Sequence, residues 1–314
     1  LNYLDAIRAR AEAVLGARIT GFSPLSGGGL NEAYAIRLAD GRCLFLKTSF
    51  DAPAGEFATE AAGLRWIADA PDGPRVPDVE AVVDPDGATE DAVRMLILSG
   101  IEPGSANGDT AERLGHELAA LHRAGAPGHG APPPGKPTSE IDLVAAGREL
   151  FIGPLRLPVA SDPASSWSDV YADLRLLPMA GIADARGALP DGGLAQIATL
   201  CERLPELAGP AEPPARLHGD LWGGNVLVAA GGAPYLIDPA AYGGHREVDL
   251  AMLRLFGGGG GERCLAAYNE VYPLSDGYRE RIALWQLFPL LVHAALFGRA
   301  YGIRAIEIAR RYCR

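Results

Sequence analysis

The sequence predicts an α+β fold of two lobes facing each other across a cleft. Three observations carry this. Strand signals crowd the first hundred residues, helical periodicity fills the rest, and a glycine- and proline-broken connector separates the two. At 314 residues the chain fits two lobes better than one compact unit. The expected division is an N-terminal lobe over 1–98, a hinge over 99–104 and a C-terminal lobe over 105–314.

Asp5 to Leu15 has helical periodicity. Ile19–Leu25, Ala33–Leu38 and Arg42–Thr48 read as strands. The first pair is joined by the glycine turn Ser26–Asn31 and the second by Ala39-Asp40-Gly41, a hairpin signal. A helix over about Glu56 to Asp69 follows, then strands near Pro77–Val83 and Val93–Leu98 complete a five-stranded antiparallel sheet. Beyond Gly100 and Pro103-Gly104 comes an amphipathic helix, Thr110–His122, with Leu114, Leu118 and Leu121 on one face. The Pro/Gly-rich run from Gly125 to Pro137 predicts a surface loop. Ala164–Leu176, Gly193–Leu207, Val248–Phe256 and Gly261–Val271 predict helices, and Tyr278–Arg311 predicts two more. Short strands near Arg216, Val226–Ala229 and Tyr235–Ile237 interrupt this half.

Composition narrows the function classes. A net charge of −11 argues against a broad phosphate-binding surface, so nucleic acid is a poor partner. It leaves room for one small nucleotide held by a local set of donors. Four scattered cysteines form no CxxC pair, and a reduced, cytoplasmic interior is the expectation. The opening segment lacks the apolar centre of a signal peptide. The apolar stretch Ile282–Phe297 is shorter than the roughly 20 residues a membrane helix needs, so it predicts a buried core helix and no membrane association.

The segment LHGDLWGGNVLV, residues 217–228, carries the most chemistry, followed by Tyr235-Leu-Ile-Asp-Pro. Asp220, Asn225 and Asp238 lie on a loop and at the end of an apolar strand, where they can meet. Phosphoryl transfer needs a carboxylate to accept the attacking hydroxyl's proton and hard oxygen ligands for Mg²⁺. Asp220 is the candidate base, with Asn225 and Asp238 the candidate metal ligands. The plainer alternative is that Asp220 and Asn225 only build a turn. His218 could act as a base or brace the loop through the backbone, and the second reading is preferred. The remaining five histidines lie in helices or loops and are expected to lack partners.

Of the 28 basic residues only Lys47 and Lys136 are lysines. A compact ammonium slots between phosphates where a planar guanidinium fits less well. Lys47, closing the strand-like Cys43-Leu-Phe-Leu-Lys, is the candidate phosphate lysine, with Glu60 as its partner and Glu56 as competitor. Lys136 has no such context. Gly27, Gly28 and Gly29 could bring backbone N–H groups against a nucleotide's phosphates, although glycine-rich hairpin tips are common. The backbones of Ser99 and Ile101 in the connector are candidates for adenine. GxxxxGK[ST] and GxGxxG are both absent.

These motifs resemble the fructosamine kinase (ketosamine 3-kinase) family, which sits with aminoglycoside phosphotransferases in the protein-kinase-like fold. LHGDLWGGNVL, YLIDPAAYGGHREVDLAMLRLFGG and AAYNEVYPLSDGYRERIALWQLFPLLVH carry the likeness, supported by LSGGGLNEAY, EAAGLRWI and LGHELAALHR. The resemblance runs from about Ile19 to the C-terminus. It implies ATP and Mg²⁺ as cofactors and transfer of the γ-phosphate to the 3-hydroxyl of a ketoamine, a small amine-linked sugar, whose phosphorylated adduct then breaks down and frees the amine. By matching position, Asp220 is the base, Asn225 and Asp238 hold the metal, and Lys47 pairs with Glu60. Trp222 could stack on the sugar or brace the loop. The family usually has an aromatic-rich segment where Ser139–Leu150 stands, and Glu at the position of Ser99. An aminoglycoside- or choline-type kinase is the alternative; protein-kinase activity is not expected, because DFG and APE are absent.

Overall fold

The computed structural model describes residues 3–25, 30–49, 51–84, 93–134, 150–257 and 261–313. Gly27, Gly28, Gly29, Lys136 and most of the 139–150 segment lie outside these.

Helix α1 (Tyr3–Leu15) precedes β1 (Ile19–Leu25), β2 (Glu32–Leu38) and β3 (Cys43–Ser49). Helix α2 (Glu56–Ala68), β4 (Val79–Val83) and β5 (Arg94–Ser99) follow. The strands form one antiparallel sheet in the order β1-β2-β3-β5-β4. Strand alternation decides what each face carries. On β3, Leu44 and Leu46 join Ile7, Ile36, Met95 and Ile97 in a core under α1. Phe45 and Lys47 are offset from these by one residue and so lie on the opposite face. There Phe45 packs with Phe57, Ala61 and Leu64 of α2 and with Leu96 and Leu98. Alternation therefore sends the Lys47 side chain toward α2.

The C-terminal part is mostly helical. Helix α3 (Thr110–Arg123) packs on α8 (Gly261–Val271), so closely that a Cβ on Gly115 would lie 2.3 Å from the Cys264 carbonyl oxygen. Two short antiparallel pairs matter for the site: β9 (Val226–Val228) with β10 (Pro234–Leu236), and β8 (Ala215–Leu217) with β11 (Tyr242–Gly244). Helix α7 (Glu247–Leu253) leaves β11 fully buried.

Several expectations need correction. The hairpin β6 (Leu150–Ile152) and β7 (Leu155–Leu157) was not expected, nor was β11. The helix expected over Ala164–Leu176 is α4 (Trp167–Tyr171) running into a π-turn at Ala172–Leu176, and α5 (Leu177–Ala185) continues it with Pro178 in its first turn. The π-turn falls just ahead of Pro178, so the ring, which has no N–H to give and would crowd the carbonyl one turn back, sits where the regular helical ladder is already interrupted. Helix α6 (Gly193–Leu207) matches the expectation. The final segment is three helices rather than two: α9 (Tyr278–Trp285), α10 (Leu287–Phe297) and α11 (Arg299–Tyr312), with Gly298 at φ 100° making the second break. Much of α9 and α10 is core, including Trp285, Phe288 and Leu291, as the apolar run predicts. Among the described residues, no helix is long and apolar enough to cross a membrane.

Candidate active site

The loop from β8 to β9 is built on backbone bonds to one buried carboxylate. Asp249 of α7 accepts from the His218 N–H at 2.7 Å and the Gly219 N–H at 3.0 Å, and lies 3.2 Å from His122 Nε2. His122 Nδ1 in turn meets the Tyr268 hydroxyl at 2.9 Å. Burial would raise the Asp249 carboxyl, but His122 and His218 outweigh it and hold the group below its ordinary value. Gly219 sits at φ 83°, and a Cβ there would come 2.0 Å from the Ala240 carbonyl oxygen, so only glycine fits. His218 spends both ring nitrogens on the backbone: Nε2 faces the Ile237 carbonyl oxygen at 2.9 Å and Nδ1 faces the Asp220 N–H at 3.3 Å. Nδ1 accepts there, so Nε2 carries the proton. Burial lowers the pKa of this ring, and the imidazole is a neutral brace. That is the preferred reading of the two.

Asp220, Asn225 and Asp238 converge. Asn225 Nδ2 donates to the Asp220 carbonyl oxygen at 2.8 Å and to its Oδ2 at 3.1 Å. The Ile237 N–H donates to the Asn225 carbonyl at 3.1 Å, fixing Asp238 beside Asn225. Asp238 adopts φ 53°, a left-handed conformation that costs most side chains energy but that aspartate tolerates. Burial, with the charge of Asp238 adding to it, pushes the Asp220 carboxyl up to about 7.

Lys47 Nζ lies 2.8 Å from Glu60 Oε2 and 3.2 Å from Asp238 Oδ1, so it ties the sheet both to α2 and to the catalytic-loop region. Glu60 is the partner, as expected. Glu56 instead meets Asn31 at 3.4 Å. Burial alone would lower the Lys47 ammonium, but Glu60 and Asp238 outweigh it and hold it above its ordinary value. Burial pushes Glu60 up to about 7 against the pull of Lys47, and its Oε1 is buried without a described hydrogen-bond partner.

In the connector, the Ser99 N–H already bonds the Asp78 carbonyl oxygen at 2.9 Å, and the Gly100 N–H bonds that of Cys43 at 3.0 Å. Ile101 engages no partner among the described backbone bonds. Trp222 is 40% exposed and meets Phe256 edge-on at 6.2 Å. Its ring lies over Gly224, where a Cβ would come 2.2 Å from the indole.

Sequence reasoning missed Asp249 and His122, although Asp249 stands in the quoted REVDLAM segment. The expectation that the other histidines lack partners also fails. Beyond His122, the His293 Nδ1 lies 2.8 Å from the Pro289 carbonyl oxygen, and His245 stacks on Trp285. All three histidines sit in buried or half-buried surroundings that a linear reading does not reveal.

The fold is that of the protein-kinase-like phosphotransferases: an aminoglycoside phosphotransferase superposes with a TM-score of 0.62 at 16% identity, covering 99% of this chain and 98% of that one. Within that class the chain belongs to the fructosamine kinase family, whose model matches residues 4–140 and 146–314, and it is a phosphotransferase. A Synechocystis relative named "Probable ketoamine kinase" is 33% identical over 92% of this chain and 89% of its own. A Thermobifida fusca protein whose crystal structure carries a fructosamine-3-kinase designation is 40% identical, with a TM-score of 0.80 and 97% coverage of both chains.

Proposed function

We propose that this protein phosphorylates the 3-hydroxyl of a small ketoamine, using ATP and Mg²⁺. The observation that carries the reading is the convergence of Lys47, Asp220, Asn225 and Asp238 from two separate parts of the chain. Asp220 accepts the proton of the acceptor hydroxyl as its oxygen bonds the γ-phosphorus and the bond to the leaving ADP breaks. Lys47, oriented by Glu60, binds the α- and β-phosphates. Gly27, Gly28 and Gly29, outside the described residues, stay candidates for the phosphates on their sequence alone, and the backbones of Ser99 and Ile101 meet adenine. Since the Ser99 N–H is already bonded, its contribution is the carbonyl.

The oxygen donors suit Mg²⁺. Two carboxylates crowd one another, and Asn225 turns its Nδ2 to Asp220, so its Oδ1 has no described partner. Asn225 and Asp238 would hold the ion, which supplies charge neutralisation at the phosphate oxygens when bound. The phosphorylated ketoamine then breaks down and releases its amine, which makes the activity a deglycation step.

The test is transfer of labelled γ-phosphate from ATP to a panel of fructosamines and ribulosamines beside a panel of aminoglycosides and choline. The expected result is label on the ketoamines, at the 3-hydroxyl by product analysis. Label on aminoglycosides or choline alone would overturn the assignment.

A further inference from the structure

Helix α2 carries Glu60, yet its own sequence leaves its first turn without a side-chain cap. Gly55 stands at the start of the helix with φ 94° and has no side chain to accept from the N–H groups there. The cap comes from outside the helix. Asp84, the residue after β4, accepts from the Gly55 N–H at 3.1 Å and from the Ala58 N–H at 3.0 Å, both through Oδ2. Its Oδ1 accepts from Arg94 Nε of β5 at 3.2 Å. The Asp84 side chain is 0% exposed and that of Arg94 8%, so this is an interior contact and not a surface ion pair. Arg94 lies opposite Ser49 in the β3–β5 pair, and its carbonyl oxygen accepts from the Thr48 hydroxyl at 2.6 Å, one residue from Lys47.

A negative charge at the N-terminal end of a helix is favourable, and here it also decides where the helix lies. Glu60 is two residues past Ala58, so the turn that Asp84 holds is the one from which Glu60 reaches Lys47 at 2.8 Å. The rear half of α2 is held by other means. Arg216 Nη1 of β8 donates to the Trp66 carbonyl oxygen at 2.5 Å, with the guanidinium over the Trp66 ring. A Cβ on Gly63 would come 3.1 Å from Ala241 Cβ. The front half depends on Asp84 and on the Lys47 pair. Nucleotide phosphates compete for that lysine, so Asp84 is what keeps Glu60 in place when they arrive.

Resting on the reading of Lys47 as the phosphate lysine, we propose that Asp84 is a positioning residue for nucleotide binding. Held by Arg94, it caps α2 from the end of β4 and keeps Glu60 beside Lys47 while the lysine takes the phosphates. Its carboxylate is closed off from solvent, so it acts through Glu60 and not by touching the nucleotide.

A double-mutant cycle read by titration calorimetry tests this, with Mg²⁺ and a non-hydrolysable ATP analogue as the ligand and no acceptor present. Asp84→Asn keeps an oxygen for the two N–H groups and gives up the charge, and Asp84→Ala removes both. Asp84→Ala should weaken binding of the analogue roughly tenfold, the change that loss of one helix cap corresponds to, and Asp84→Asn by less. In a Glu60→Gln background the same substitutions should add almost nothing, because the residue they act through is gone. Hydrogen exchange of the nucleotide-free protein should quicken over 55–60 in Asp84→Asn and stay as in wild type over 63–68. Wild-type affinity in the Asp84 variants, or a loss of the same size with and without Glu60→Gln, would overturn the proposal. Should Asp84→Ala fail to fold, Asp84→Asn completes the cycle with the same two readings. Wild-type affinity in Lys47→Met would sink the reading of Lys47 and the proposal with it. A loss in Lys47→Met beside wild-type affinity in the Asp84 variants would sink the proposal alone.

Discussion

Replacing Lys47 by methionine tests the junction of sheet, helix and loop through stability as well as activity. The ammonium sits 2.8 Å from Glu60, and the two side chains are only 12% and 8% exposed. At that distance and an effective dielectric constant of about 20 the attraction is ~6 kcal/mol before desolvation is charged against it. The Asp238 contact adds little to folding, because that side chain is 39% exposed and solvent screens it. Removing one partner of a buried pair costs about 3–5 kcal/mol, mostly from the stranded charge. Glu60, already pushed up to about 7, rises further without Lys47. A carboxyl raised in the folded state binds a proton that the unfolded chain releases, so stability is lost as pH climbs from its ordinary 4.5 toward the folded value. Urea unfolding should therefore show Lys47→Met about 3 kcal/mol less stable than wild type at pH 8, with a smaller deficit at pH 5.5. Adding Glu60→Gln should restore most of the loss at pH 8. Wild-type stability of Lys47→Met at pH 8, or a deficit independent of pH, would refute the reasoning.

Three further outcomes are expected. Asp249→Ala strands the His218 and Gly219 N–H groups and His122, and at about 1–3 kcal/mol for each unpaired buried group it should cost roughly 3 kcal/mol or more in urea unfolding; an unchanged midpoint would contradict the bracing role. Gly219→Ala forces a Cβ to 2.0 Å from the Ala240 carbonyl oxygen. The displaced loop should lower kcat about 100-fold while ATP affinity changes little, as steady-state kinetics and titration would show. Asp238→Ala should weaken binding of Mg·ATP in calorimetry more than binding of metal-free ATP, and equal effects on both would remove Asp238 as a ligand.

The N-terminal sheet was legible because its strands carry ordinary signals: alternation, an Asp-Gly hairpin and a helix with clear ends. Lys47, Asp220, Asn225 and Asp238, which the structure brings together, stood out because they are polar groups in otherwise apolar segments. What escaped notice has physical reasons. Strands β6 and β11 are three residues long and mostly or wholly buried, so no period can show. In β11 the pair Gly243-Gly244 reads as a turn. Gly243 is in fact required by close packing, with its Cβ position 2.1 Å from the Gly128 carbonyl oxygen. Asp249 lies in a helix buried on every side, and what makes it important is two N–H groups some thirty residues earlier in the chain. Only tertiary structure brings them together.

Lys47 contacts Asp238 as well as Glu60. On the proposed reading, an incoming nucleotide takes over the lysine through its phosphates and frees the Asp238 carboxylate for Mg²⁺.

The most direct measurement compares wild type with Asp220→Asn in single-turnover transfer from Mg·ATP to 1-propylamino-1-deoxyfructose, followed by phosphorus NMR. Wild type should form a sugar phosphomonoester. The variant should still bind ATP yet turn over at least about 100-fold more slowly, since it lacks the group that accepts the proton. Equal rates in the two proteins, with ATP bound in both, would contradict the role of Asp220 on which the mechanism rests.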